Sequence, residues 1–230
     1  MRAVPSLFLI LSFLSTTPAI AADPAAPPRN RSEAREMFTA DGLSKVSVRG
    51  IEVAFARPGA RLSEYKSVLV RPVNVSLRRD WKQSGGMDRL RASDADVARI
   101  RERMSALVHE EFDKDLQQAG IAQAQAPGGD VLEVELSVTD LYAAAPEIPK
   151  QLSARSEVWA LSAGSMTLQG ELRDSVSGET LARFYDHDTA REYSGPRRIE
   201  FGYNEIEARR LARRWAQALR VGVQAASAAK

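Results

Sequence analysis

The chain has no cysteine. That absence excludes disulfides, thiolate metal sites and cysteine nucleophiles, and with them the acylated cysteine that tethers a bacterial lipoprotein. Charge of one sign is missing as well. The 32 basic residues face 30 acidic ones, and removing the first 21 residues takes away only Arg2. A near-neutral chain has no general attraction for nucleic acid, despite a pI near 9.0. No G-x-S-x-G elbow occurs, since Gly164-Ser165 opens a strand pattern, and Gly85-Gly86 leads into Met87 and a polar stretch rather than a phosphate-binding loop. No catalytic signature and no cofactor site are therefore expected. The one apolar run, Leu7 to Leu14, falls short of the roughly 20 residues that span a bilayer.

That run has a different use. Met1-Arg2 supplies a charged start, LFLILSFL (7–14) a short apolar core, and Ala19-Ile20-Ala21 an A-x-A cleavage site. These are the three parts of a secretory signal, so residues 1–21 are expected to be removed near Ala21 and the protein to work in the periplasm. An exported chain without disulfides fits that compartment. Residues 22–40 begin Pro/Ala-rich and turn charged, which predicts a disordered leader. With 44% hydrophobic and 27% charged residues, positions 41–226 have the composition of one packed domain that needs no staples.

Short extended segments are expected at Lys45–Val48 and Ile51–Phe55, ended by Arg57-Pro58-Gly59. Tyr65–Val75 is rich in β-branched residues and reads as a strand whose second half Pro72 consigns to an edge or bulge. Ser93–Ala119 predicts a long helix, capped by Ser93 or Asp94, stopped by Gly120, with Val97, Ile100, Met104, Leu107 and Val108 on one face. Val131–Leu141 alternates apolar and polar residues as a half-buried strand does, and Met166–Leu172 and Leu181–Tyr185 flank the turn Asp174–Gly178 as a hairpin. A final helix is expected from Asn204 to Val223, with Asn204 and Glu207 spaced as a capping box and a stripe through Ala208, Leu211, Ala212, Trp215, Ala218, Leu219 and Gly222. The order β-α-β-β-β-α implies a single α+β domain, an antiparallel or mixed sheet with the two long helices on one face.

Five stretches carry a family resemblance: ADGLSKV (40–46), FARPGARLSEYKSVLVRPVNVSLRRDW (55–81), PGGDVLEVELSVTDLY (127–142), SAGSMTLQGELRDSVSGETLAR (162–183) and EARRLARRWAQALR (207–220). Together they resemble a bacterial family of secreted and lipoprotein-like proteins catalogued only as a domain of unknown function. The resemblance implies an envelope location and brings no activity. This chain departs from the lipoprotein type in lacking the anchor cysteine.

Charge distribution marks the candidate surfaces. The first long helix carries seven acids against four bases, and the last carries five arginines against two glutamates. Glu110, Glu111, Asp113 and Asp115 crowd a helix C-terminus, where the dipole opposes negative charge by about 0.3–1 kcal/mol each. Glu111 and Asp115 also interrupt the apolar stripe. They are expected to pair with Arg210 and Arg214, leaving Arg209, Arg213 and Arg220 as a basic surface for an envelope protein or anionic surface. The two histidines, His109 and His187, lack converging ligands; Asp186-His187-Asp188 alternates across an extended segment, so a metal or acid–base role is not expected. The expected function is a non-enzymatic accessory or binding module of the envelope. Two alternatives stay open: a periplasmic hydrolase using the 143–163 connection with Asp186–Asp188, and a carrier of a lipid-like ligand. A polar cleft with titratable groups would favour the first, an apolar cavity the second.

Overall fold

The computed structural model describes residues 27–84, 92–144, 158–160, 162, 164–190, 194–199 and 201–228. The chain opens with helix α1 (Arg31–Ala40), strands β1 (Ser44–Val46) and β2 (Val53–Ala56), and a 3-10 turn at Leu62–Glu64. Strands β3 (Ser67–Val70) and β4 (Asn74–Leu77) lead to helix α2 (Asp94–Gln118). Then come β5 (Ala122–Gln123), β6 (Val131–Ala143), β7 (Val158–Ala160), β8 (Gly164–Asp174), β9 (Thr180–Thr189), β10 (Arg197–Ile199) and helix α3 (Phe201–Ala228).

The fold is α+β with a mixed sheet in the order β1-β2-β9-β8-β6-β3-β5; β4 also pairs with β6, and β7 and β10 form a separate two-stranded ribbon. β6 is the organising strand because its alternation is strict: Leu132, Val134, Leu136 and Val138 are all at most 2% exposed. It pairs antiparallel with β8 along its length and parallel with β3 and β4 on its other edge. The expected strand Tyr65–Val75 is thus two strands. Pro72 has no N–H to donate, so the chain leaves the ladder after Arg71, whose amide bonds Val134 at 2.9 Å, and rejoins it at Asn74 opposite Ser137.

α2 starts at a reciprocal capping box: Asp96 N–H donates to Ser93 Oγ at 3.2 Å, and Ser93 N–H to Asp96 Oδ2 at 2.9 Å. Its C-terminus is closed by Gly120 in the left-handed region, φ 68°. α2 buries Leu107, Val108, Phe112 and Leu116, and α3 buries Ala208, Leu211, Ala212, Trp215 and Ala216, all in one core with the inward side chains of β6, β8 and Phe184 of β9. Both long helices therefore cover the same face. The layer is thin at Gly170, where an added Cβ would lie 2.0 Å from Phe184 Cζ; only glycine lets that ring lie flat on the sheet.

The opposite face is covered by α1, which corrects the expected leader. Arg31–Ala40 is helical, capped by the Asn30 side chain, which accepts from the Ser32 and Glu33 amides. Ala34 and Phe38, 0% and 3% exposed, pack with Leu43, Val53, Phe55 and Tyr185. Burying one phenylalanine contributes about 1.5–3 kcal/mol. Ala34, Met37 and Phe38 follow helical spacing but make only one turn of it in a charged decapeptide, and much of the surface they cover lies far along the chain. The expected signal, residues 1–21, lies outside the described residues, as do residues 22–26 and most of the 143–163 connection.

Candidate functional site

The two long helices lie side by side, and the carboxylates that interrupt the apolar stripe are paired across their seam. Glu111 is 2% exposed; its Oε1 accepts from Arg209 Nη1 and its Oε2 from Arg213 Nε, both at 3.1 Å. Asp115 Oδ2 accepts from Arg220 Nε at 2.9 Å. Arg209 also reaches Glu110 at 2.9 Å and Glu205 at 3.3 Å, and Arg103 reaches Glu205 at 2.8 Å. With Lys114 and Arg209 donating to it, the Glu110 carboxyl is held well below its ordinary range, at about 2.

The expected partners are exchanged. Arg209, Arg213 and Arg220, assigned to a free basic surface, are the residues that bind Glu111 and Asp115. Arg210 instead pairs with Glu207 on its own helix at 3.0 Å, and Arg214 with Asp186 at 2.6 Å and with Asp188. The reason is helical phase. Ala216, left out of the expected stripe, is 3% exposed. At about 100° per residue it widens the stripe toward Arg209, Arg213 and Arg220, which thereby border the seam with α2. Arg210 and Arg214 border the other edge.

Asp186 is a buried clasp. At 5% exposure its Oδ2 accepts from Trp215 Nε1 and Arg214 Nη2, each at 2.6 Å, and its Oδ1 from the Glu52 amide at 2.8 Å. Burial nevertheless keeps its carboxyl above the ordinary range. These bonds tie β9 to β2 and α3. His187 lies on the other face of β9, its Nδ1 at 2.9 Å from Thr167 Oγ1, because neighbours in a strand alternate. Asp186 and His187 cannot act on one substrate atom. His109 pairs with Asp113 one turn on at 3.0 Å. Among the described residues, no three His, Asp or Glu side chains are grouped to hold a metal ion.

What the structure does contain is an apolar cavity of about 350 Å³. It lies between the N-terminal halves of α2 and α3, over the end of β6 and the start of β8. Ile100, Met104 and Leu107 line it from α2, Leu141 and Met166 from the sheet, and Leu211 from α3. The sheet is irregular here: the β6–β8 register shifts between Thr139 and Tyr142, and Asp140 has φ 51°. A bulge bends its strand and raises the local twist. Gly164 completes the arrangement with φ 147°, since a Cβ there would lie 1.9 Å from the Tyr142 carbonyl oxygen.

Asn204 also lines the cavity. The sequence suggests a helix cap there, but α3 begins at Phe201, which places Asn204 inside the helix. Both polar atoms of its carboxamide are buried and have no hydrogen-bond partner. An unsatisfied buried polar group costs about 1–3 kcal/mol. Spacing to Glu207 suggested capping; Glu207 bonds Arg210 instead. The remaining signal was a polar residue four positions before the start of the apolar stripe, and that signal has two meanings.

The chain belongs to the family described as "Protein of unknown function (DUF3313)", which matches residues 35–219. No curated protein matches it. Among solved structures, it is similar to protein XCC0632 from Xanthomonas campestris, of family DUF330, at 9% identity and a TM-score of 0.41, over 70% of this chain and 85% of that one. It is also similar to a candidate lipoprotein from Caulobacter crescentus at 13% identity and a TM-score of 0.36, over 71% and 90% of the two chains. A third similarity is to the PelC dodecamer from Paraburkholderia phytofirmans, at 9% identity and a TM-score of 0.34, over 74% and 92%.

Proposed function

We propose that this protein is an exported, non-enzymatic envelope protein that holds a small apolar ligand in the cleft between α2, α3 and the end of the sheet. The cavity carries the proposal. A site of about 350 Å³ sits at the small end of the roughly 300–1,000 Å³ range of ligand pockets, and its floor is aliphatic. Location rests on the residue 1–21 signal. No helix among the described residues is long and apolar enough to cross a membrane.

Two other readings lose their footing. A basic surface made of Arg209, Arg213 and Arg220 is spent on the helix seam. For a hydrolase using the 143–163 connection with Asp186–Asp188, the second segment is split, since His187 lies on the face of β9 opposite Asp186, and most of the first lies outside the described residues. The test is uptake of a medium-chain alkyl probe, read by native mass spectrometry, in the wild type and in Ala208→Phe. Ala208 is 7% exposed and lines the cavity, so a phenyl ring there fills it. One probe per chain and at least a tenfold loss in the folded variant are expected. No uptake, or uptake unchanged by the substitution, overturns the proposal.

A further inference from the structure

The charges at the mouth of the cleft are not equivalent. Among the described residues, Arg99, Glu102 and Arg103 line it from α2, and Glu205 and Glu207 from α3. Both cations are already taken: Arg99 pairs with Asp96, and Arg103 with Glu205 at 2.8 Å. Glu205 meets Arg209 as well, at 3.3 Å, and Glu207 pairs with Arg210 at 3.0 Å. Glu102 differs from all four. It is exposed, and among the described residues no cation pairs with it; Arg99, one turn before it on α2, is held by the Asp96 of the helix cap. From Glu102 a polar groove runs down α2 past Ser105, His109, Glu110 and Asp113, so the mouth opens on the acidic flank of that helix. An anionic head group would have to displace Asp96 or Glu205 to reach a cation. A neutral head gains nothing at the mouth, whereas a cationic head meets a carboxylate that needs one.

We infer that the ligand is a single-chain cationic amphiphile, its chain in the cleft and an ammonium carried directly on that chain beside Glu102. This rests on the cleft reading above and extends it to the head group. A space of about 350 Å³, near the lower limit of ligand pockets, takes one medium alkyl chain rather than two. Because Glu102 is exposed, the ammonium keeps most of its water and escapes the cost of burying a charge. Glu102 is thus the specificity-determining residue, and the aliphatic floor supplies the general affinity.

The experiment is calorimetric titration of the full chain at low salt with four probes sharing one chain length: decyltrimethylammonium, decanol, decanoate and decylphosphocholine, whose ammonium lies beyond a phosphate. Decyltrimethylammonium is expected to bind about threefold tighter than decanol, as suits an exposed ion pair, and decanoate more weakly than decanol. Decylphosphocholine, which brings its phosphate to Glu102 first, is expected to fall below decyltrimethylammonium. Salt of about 0.5 M should narrow the gap between ammonium and alcohol. Glu102→Gln is expected to close that gap without weakening decanol, while Glu36→Gln, an exposed position on α1 across the sheet, leaves it intact. A wild type that binds alcohol or carboxylate as tightly as ammonium overturns the inference and leaves the cleft standing; this readout needs no variant to fold. An ammonium preference that survives in Glu102→Gln overturns it too, as does a phosphocholine that matches the ammonium, which would point to a zwitterionic lipid head instead. If none of the four binds, the cleft proposal itself fails.

Discussion

Glu111 gives the sharpest test of the helix seam, because it is a carboxylate with almost no solvent and more than one cation. Its side chain is 2% exposed, while Arg209 and Arg213 are 31% and 59% exposed. Removing Arg213 alone, as Arg213→Met, leaves the Arg209 bond at 3.1 Å in place. The loss should be that of an exposed ion pair, under about 1 kcal/mol. Removing both arginines leaves only Lys114 Nζ, 4.0 Å away, beside a buried charge. That should cost about 3–5 kcal/mol, far more than the sum of the single variants. With a urea m-value of about 2 kcal/mol/M, the midpoint falls by roughly 2 M. Adding Glu111→Leu to the double variant removes the stranded charge and should recover most of the loss. Urea denaturation of the wild type, the single Arg209→Met and Arg213→Met variants, the double variant and the triple variant at neutral pH decides. Additive costs within about 0.5 kcal/mol, or a further loss on adding Glu111→Leu, would refute the view that Glu111 depends on these two arginines.

Leu211→Ala should destabilise by about 2–5 kcal/mol, since Leu211 is 2% exposed. Ile206→Ala on the same helix, at 62% exposure, should stay within about 0.5 kcal/mol in the same assay. Gly164→Ala, with φ 147° and a Cβ 1.9 Å from the Tyr142 carbonyl oxygen, should cost about 3 kcal/mol or more; a thermal melt equal to the wild type's would show that this strand end yields freely. Acid should weaken the fold through Glu110 and Asp174, both held near 2, below their ordinary 4.5 and 3.8, the first by Lys114 and Arg209 and the second by hydrogen bonds from Ser177 and Tyr65. Because the folded state lowers both, their contribution is complete above about pH 5 and fades as pH falls toward 2. Denaturation midpoints of Glu110→Gln with Asp174→Asn, measured from pH 5 to 2, should fall less steeply than those of the wild type.

Local pattern alone determined the elements that do the packing. The alternation in Val131–Leu141, the Ser93 cap and Gly120 stop, and the hairpin about Asp174–Gly178 each report a backbone state through chemistry within a few residues, so the sequence is enough to read them. The mismatch of Glu111 and Asp115 with their apolar stripe was legible too, because a carboxylate in a buried row needs a cation wherever the cation comes from. Its partner was not. That depended on how α3 rotates against α2, and burial of Ala216, a residue too small to weigh in a periodicity, settled the rotation. α1 was hidden because its binding surface, Val53, Phe55 and Tyr185, comes from strands distant in sequence. The cleft is a tertiary feature altogether. It exists where a bulged strand end, a glycine in a rare conformation and two helices fail to close on one another, and no stretch of sequence contains that gap. Asn204 shows the limit at a single residue: the sequence offers a cap, and only the point at which the helix begins turned it into a buried amide without a partner.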